Sequence, residues 1–307
     1  MPKGMAKSIE NIRGVSNYVA RIGAHSGGAA GVFWVDVVKR DKKYVLVSNR
    51  WDAGRNKYDP VTMSVETELV RPLVRGRDVQ RWTVNPSLSI IIPYAATNFG
   101  KAISETKMKM EFPKAFEYFN TFKSPMLERP HYLQHFKPSG APYWSMYNVG
   151  NYTFAHSRVV WREQTSSFQC AVIDSDPELA PVADAKLIVV ACGSSDEAHY
   201  LAALLNSSPA RFVINSYVVK VQISTHVLKN IAVPTFLADN PLHIALAEQS
   251  RLCHAAVRQG KIENLSKLEQ ENDLLAAKLW KLTLGELEQV QSCVSFTEND
   301  DAGSDDE

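Results

Sequence analysis

The chain has 307 residues, 45% of them hydrophobic and 22% charged, enough apolar mass to bury a core in one large or two modest domains. Its formal charge is +1, but six acidic groups crowd into residues 298–307, and removing them leaves +7 on the rest, a mildly basic body that permits a polyanionic partner. Cys170, Cys192, Cys253 and Cys293 form no C-x-x-C pair, no apolar run reaches membrane length and residues 1–14 lack an apolar stretch, so no disulfide framework, thiolate zinc site, membrane span or signal peptide is expected; the expectation is a reduced cytoplasmic protein.

Residues 1–17 carry no clear period and read as a linker. From Tyr18 a short strand leads into a loop with Gly23, Gly27, Gly28 and Gly31 and returns as the alternating strand 32–38. The loop has no G-x-x-x-x-G-K-[ST] pattern and no helix pattern behind it, so a hairpin loop is expected. Its glycines would still let backbone approach a ligand closely, with His25 and Ser26 projecting from it. KYVLVS at 43–48 reads as a strand, and NRWDAGRNKYDP after it as a turn-rich connector. Arg71, Arg75, Arg77 and Arg81 then fall within eleven residues around Pro72 and Gly76, with only Asp78 among them. Guanidiniums so close need solvent, carboxylates or phosphates, and a solvated basic loop and a phosphate-contacting loop both fit. SIIIPY at 89–94 is a buried-type strand ended by proline.

From 105 to 129 the period turns helical. Phe112, Phe116, Phe119 and Phe122 recur at spacings of three and four, with Pro113 near a helix start, as in an amphipathic helix packed on a sheet. His131 and His135 stand four apart without a third ligand, so no metal is expected. Residues 142–164 gather Tyr143, Trp144, Tyr147, Tyr152, Phe154 and Trp161 with His156, Arg158 and Arg162. Such a mixture suits either a base-stacking surface or an aromatic hairpin of a sheet core.

Strands are expected at 168–173 and 186–191, followed by a helix 196–205 capped by Ser194 and Glu197 and a second helix from Pro209. Short strands at 218–221 and 231–233 flank the polar loop QISTHVLKN, which offers Gln222, Ser224, Thr225, His226 and Lys229. Beyond Pro234 the pattern is helical, with Ser266–Glu269 and Thr283–Glu286 as cap pairs. The fold class expected is α+β: mixed or antiparallel sheets with packed helices over 18–235, a helical carboxy-terminal region over 236–297, and a disordered acidic tail over 298–307.

Catalytic constellations are missing: no G-x-S-x-G elbow, H-E-x-x-H, Walker lysine or G-x-G-x-x-G after a strand, and no obvious acid/base pair of carboxylates.

Six segments in order, RIGAHSGGAAGVFWV, VRPLVRGRDVQRW, IIPY, PYWSMYNVGNYTFAHSRVVWRE, EAHYLAALLNSSPARFVI and ENDLLAAKLWKLTLGELEQV, resemble the TaqI-like target-recognition region of bacterial adenine-specific DNA methyltransferases of restriction-modification and phage-defence systems. In that family the region follows a domain that binds S-adenosylmethionine and carries an Asn/Asp-Pro-Pro-Tyr/Phe motif. Here Asn85-Pro86 and Asn240-Pro241 lack the second proline and the aromatic ring. The resemblance therefore implies a non-catalytic, sequence-specific duplex-DNA recognition module, with S-adenosylmethionine and methyl transfer in a partner methyltransferase subunit. It makes Arg71, Arg75, Arg77, Arg81, Arg158 and Arg162 candidate phosphate contacts, and Arg21 and His156 further candidate DNA-binding residues. His25, Ser26, Gln222, Ser224 and His226 become candidate base-reading groups. Within 142–164 it implies a strand pair built mainly from the aromatics, leaving His156, Arg158 and Arg162 exposed. A truncated methylase remnant, a protein-interaction module using the basic surface and an unrecognised nuclease are the alternatives.

Overall fold

The computed structural model describes residues 10–94, 100–176, 180–217 and 223–301. Its strands are β1 (Ala20–Ile22), β2 (Trp34–Arg40), β3 (Tyr44–Asn49), β4 (Thr62–Glu66), β5 (Val70–Val74), β6 (Val79–Gln80), β7 (Thr83–Val84), β8 (Leu88–Ile91), β9 (Ser157–Arg162), β10 (Cys170–Asp174), β11 (Val182–Ala183) and β12 (Leu187–Cys192). The helices are α1 (Ala30–Phe33), α2 (Glu105–Glu111), α3 (Pro113–Thr121), α4 (Lys123–Leu127), α5 (Ser195–Asn206), α6 (Ser208–Tyr217), α7 (Pro241–Arg258), α8 (Leu265–Leu279) and α9 (Leu284–Asp301). The class is α+β with a helical carboxy-terminal region, as the sequence implies.

An antiparallel four-stranded sheet runs β1-β12-β9-β10, and a mixed six-stranded sheet runs β11-β5-β8-β2-β3-β4 with β11 parallel to β5. Side chains alternate across β9 and β12. Val159, Trp161, Ile188 and Val190 enter the core shared with the carboxy-terminal helices, while Val160, Leu187 and Val189 meet Val74 from the six-stranded sheet and Val79 from the two-stranded β6–β7 ribbon. Helices α2 to α4 cover the six-stranded sheet, where Phe112, Phe119, Phe122 and Trp144 are buried. Glu66 at the end of β4 orients α3, its two carboxylate oxygens accepting from Lys114 N at 2.9 Å and Ala115 N at 2.8 Å. A carboxylate suits a helix amino terminus because it answers unpaired N–H groups and the helix dipole.

Several expectations are corrected by this architecture. The glycine loop is not a hairpin: β1 pairs with β12, with Arg21 opposite Val189, whereas β2 pairs with β3 and β8, so the loop crosses from one sheet to the other. Gly23 permits the crossing, since a Cβ there would stand 2.2 Å from Asp184 O. The helix expected over 105–129 is three short ones. Pro113 takes a first-turn position and Phe112 before it leaves helical geometry at φ −130 and ψ 56. Within 142–164 only Ser157–Arg162 is a strand; Tyr143, Trp144 and Phe154 serve one core and Trp161 the other, which a single hairpin cannot do. Residues 231–233 form no strand, because Ala232 N bonds Ile12 O at 2.8 Å rather than a ladder. The strand expected at 218–221 lies outside the described residues.

Of the helix caps, Thr283 and Glu286 form the reciprocal box, and Ser194 accepts from Glu197 N at 3.1 Å. Ser266 and Glu269 do not cap α8. That helix starts two residues earlier than such a cap would allow, after Asn264, and Glu269 turns instead to Arg81 and Trp82.

Arg158 shows how the two sheets are joined. It was expected at the surface, yet it is fully buried; its Nη1 donates to Thr153 O at 2.6 Å and Pro181 O at 2.7 Å. On the same face of β9, Arg162 Nε donates to Val79 O at 2.9 Å. Replacing Arg158 with alanine leaves two carbonyls without their donor and opens a cavity. A loss of about 3 kcal/mol in unfolding free energy is expected, read from urea denaturation at pH 7.

Candidate nucleic-acid interface

The loop between β1 and α1 is held from four sides. Ala24 N bonds Ala183 O at 2.7 Å, and His25 exchanges two backbone bonds of 3.0 Å with Tyr147. Asn56 Nδ2 donates to Gly28 O at 3.1 Å and Arg129 Nη1 to Ser26 O at 2.6 Å. Gly27 and Gly28 take φ values of +64 and +88, a region that side chains other than glycine resist. The loop is thus a fixed, partly exposed ridge.

Rings surround it. His25 and His131 meet edge to face with centroids 5.6 Å apart, and Tyr147 lies within 5.9 Å of His25, His131, His135 and Phe136. Ile22, Asn148, Glu163 and Lys186 complete an open pocket of about 450 Å³ around this cluster. The pKa of His25 is lowered, first by burial and then by the charges of His131, Lys186 and Arg129. Its Nδ1 accepts from Gly27 N at 3.1 Å, consistent with a neutral ring. Next to the ridge, the β3–β4 connector presents Trp51, 46% exposed, and the exposed Arg55. Aromatic faces, a rigid backbone and cations thus lie on and beside the ridge, groups able to contact a nucleic acid.

The other residues expected at the site are dispersed. Arg21 is exposed, its guanidinium 5.9 Å from the Tyr152 ring centroid. Arg71 sits half-buried on β5 opposite Ile90. The basic run is tamed by carboxylates: Arg75 Nε lies 3.5 Å from Asp78 Oδ2 and Arg81 Nη1 3.0 Å from Glu269 Oε1, while Arg77 is exposed. His156 is exposed beside Asp174 at 3.9 Å. Arg158 and Arg162 are given over to carbonyls, as above. Ser224 caps the turn Thr225–Lys229, accepting from His226 N at 3.3 Å, and the His226 side chain is exposed. Gln222 lies outside the described residues. Only His25 and Ser26 of these share the ridge. Arg55, Asn56, Arg129 and His131, none of them a sequence-level DNA candidate, join them there with Tyr147, one of the rings of the 142–164 stretch. The histidines had been weighed only as a metal pair, and nothing in the local pattern marks Arg129.

A second cleft, of about 540 Å³, opens between the β7 turn, β10 and α7, with Asp174, His199, His254 and Arg258 on its walls. Here α5 and α7 finish the outer edge of β10. Asn206 bonds both the N–H and the C=O of Cys170 at 3.0 and 2.9 Å, and His254 Nε2 accepts from Val172 N at 3.1 Å. An edge strand satisfied by side chains does not template further pairing. His199 Nδ1 lies 3.0 Å from Ser250 Oγ, and Ser250 is fully buried, so this Asp174–His199–Ser250 line has no accessible hydroxyl to act as a nucleophile. No cluster of three metal-ligating side chains and no helix long and apolar enough to cross a membrane occurs among the described residues.

No protein-family model and no curated protein matches the chain. Among solved structures it is similar to the Type IIL restriction-modification enzyme MmeI, determined in complex with DNA. The TM-score is 0.56 at 9% identity, covering 92% of this chain and 36% of that one. It also matches the type IIG restriction endonuclease BpuSI with a TM-score of 0.41 at 14% identity, covering 91% of this chain and 33% of that one. The chain therefore spans about a third of the length of each, and the first likeness establishes a shared fold.

Burial holds His254 and His199 neutral, lowering their pKa values to about 3 and about 4. Unfolded histidine titrates near 6.5, so the unfolded state binds protons first as pH falls. The stabilisation is complete above about pH 6.5 and is lost as pH falls from there towards the folded values. Between pH 6.5 and 5, His254→Gln is expected to flatten the fall in unfolding free energy by about 1.4 kcal/mol per pH unit relative to the parent, measured by urea denaturation across that range.

Proposed function

We propose that this chain is a duplex-DNA recognition module of a restriction-modification system, choosing the site at which an adenine-specific methyltransferase acts. The observation that carries the reading is the fold shared, over 92% of the chain, with part of a restriction-modification enzyme determined in complex with DNA. The six segments that resemble the TaqI-like recognition region support the finer assignment. They run through β1, β5, β9, α5 and parts of α6, α8 and α9, and the first of them contains the ridge itself.

In this reading the chain binds and orients DNA. Cations along the ridge neutralise phosphates and set the register, while His25, Ser26 and Asn148 offer donors and acceptors to base edges. The methyl donor, S-adenosylmethionine, belongs to the methyltransferase. A separate methyltransferase would extrude the adenine and carry out the transfer.

Binding of the chain to duplex DNA, followed by fluorescence anisotropy, is expected to weaken with salt. The log–log slope should be negative, with roughly −0.9 for each phosphate neutralised. With S-adenosylmethionine and DNA the chain alone is expected to transfer no methyl group. Salt-independent binding, or transfer by the chain alone, contradicts the proposal.

A further inference from the structure

Arg129 carries more than a structural bond to the ridge. Its side chain is 3% exposed, and its guanidinium donates to Met126 O at 3.1 Å, Ser26 O at 2.6 Å and Tyr143 O. No carboxylate pairs with it among the described residues. Burial lowers its pKa to about 10, which still leaves it charged at neutral pH. A buried cation met only by carbonyl dipoles projects positive potential outward, and an anion placed over it recovers part of the cost of burying the charge.

The potential emerges at the ridge. Arg129 Nη1 lies 3.3 Å from where a Cβ on Gly27 would stand, and the charges acting on His25 are all positive, from His131, Lys186 and Arg129 itself. On the outer side, Arg55, Asn56 and Lys57 share a cleft of about 490 Å³ with Arg129. Arg55 makes no ion pair among the described residues. The acid on this rim is Glu128, whose carboxylate already accepts from Ser124 Oγ at 3.3 Å. The Ser26 hydroxyl and the Gly28 N–H have no hydrogen-bond partner among the described residues. Glycine conformation at 27 and 28 lets a tetrahedral anion reach the backbone, as in loops that cradle phosphate through consecutive amides.

The geometry points to a phosphate-binding site on the Ser26–Gly28 ridge, with Arg129 beneath it, Arg55 beside it and the Ser26 hydroxyl and Gly28 N–H as donors. The ligand class is a phosphate diester of the DNA backbone, which rests on the recognition reading above; a free phosphate ion has the same recognition chemistry.

The test compares the full chain with Arg55→Ala and Ser26→Asp, two partly or fully exposed positions, and with Arg40→Ala at the opposite end of the β2–β3 hairpin as control. Unchanged thermal midpoints establish that all variants fold. In duplex-DNA titrations across salt, each ridge variant is expected to bind several-fold more weakly whatever the sequence. Arg55→Ala should also lose about 0.9 from the salt slope, one phosphate contact, while the control stays with the parent. In a second arm, inorganic phosphate is titrated and followed by ³¹P line broadening. Broadening by the parent that both ridge variants abolish supports the site even if the chain binds no DNA, and then identifies free phosphate as the ligand. Parent-like DNA titrations together with no phosphate effect overturn the inference while leaving DNA recognition standing. Absence of DNA binding by the parent instead sinks the recognition reading.

Discussion

Buried guanidinium groups that hold carbonyl oxygens from separate segments are the interaction on which this architecture depends. Arg158 ties Thr153 and Pro181 together, Arg162 ties β9 to Val79, and Arg129 gathers Ser26, Met126 and Tyr143. An arginine suits this work because its fork offers five donors in a fixed plane, so one side chain can satisfy carbonyls that approach from different elements. The two sheets share few strand-to-strand bonds, and such junctions would otherwise leave backbone acceptors buried without donors, which is costly. The cost is a desolvated charge, visible in the lowered pKa values of Arg129 and Arg158, both about 10.

That device explains what was legible in the sequence and what was not. Short apolar runs located β3, β10 and β12 within two residues and β8 with an end three residues too far, and the three-and-four spacing of phenylalanines identified helical packing on a sheet. Turn and cap chemistry located α5, α6 and α9. Partnership was hidden, because pairing β1 with β12 joins residues more than 160 positions apart and no local pattern encodes it. The glycine loop looked like a hairpin for that reason. Charge was the least readable property: an arginine beside aromatics suggests a surface group, whereas Arg158 is fully enclosed. Arg75 and Arg81, read as a basic run, find Asp78 nearby and Glu269 far along the chain.

The same hidden contacts decide the candidate interface. Residues remote in sequence, from 24–28, 55–57, 129–135, 147–148 and 185–186, converge on one ridge. It is rigid because both flanks are bonded to other segments, which favours a surface that must hold a register on a polymer. The aromatic stretch at 142–164 turns out to support the ridge more than to present itself. Tyr147 pairs with His25 through the backbone, and Trp144 anchors the segment through its Nε1 bond to Ile103 O at 2.8 Å.

The most direct measurement is hydrogen–deuterium exchange of the full chain with and without a duplex carrying its target site. The account predicts slowed exchange concentrated in 24–28, 51–58, 129–137 and 184–187, with α7 to α9 unchanged. Protection confined to the carboxy-terminal helices, with those four segments exchanging as in the free chain, would contradict it.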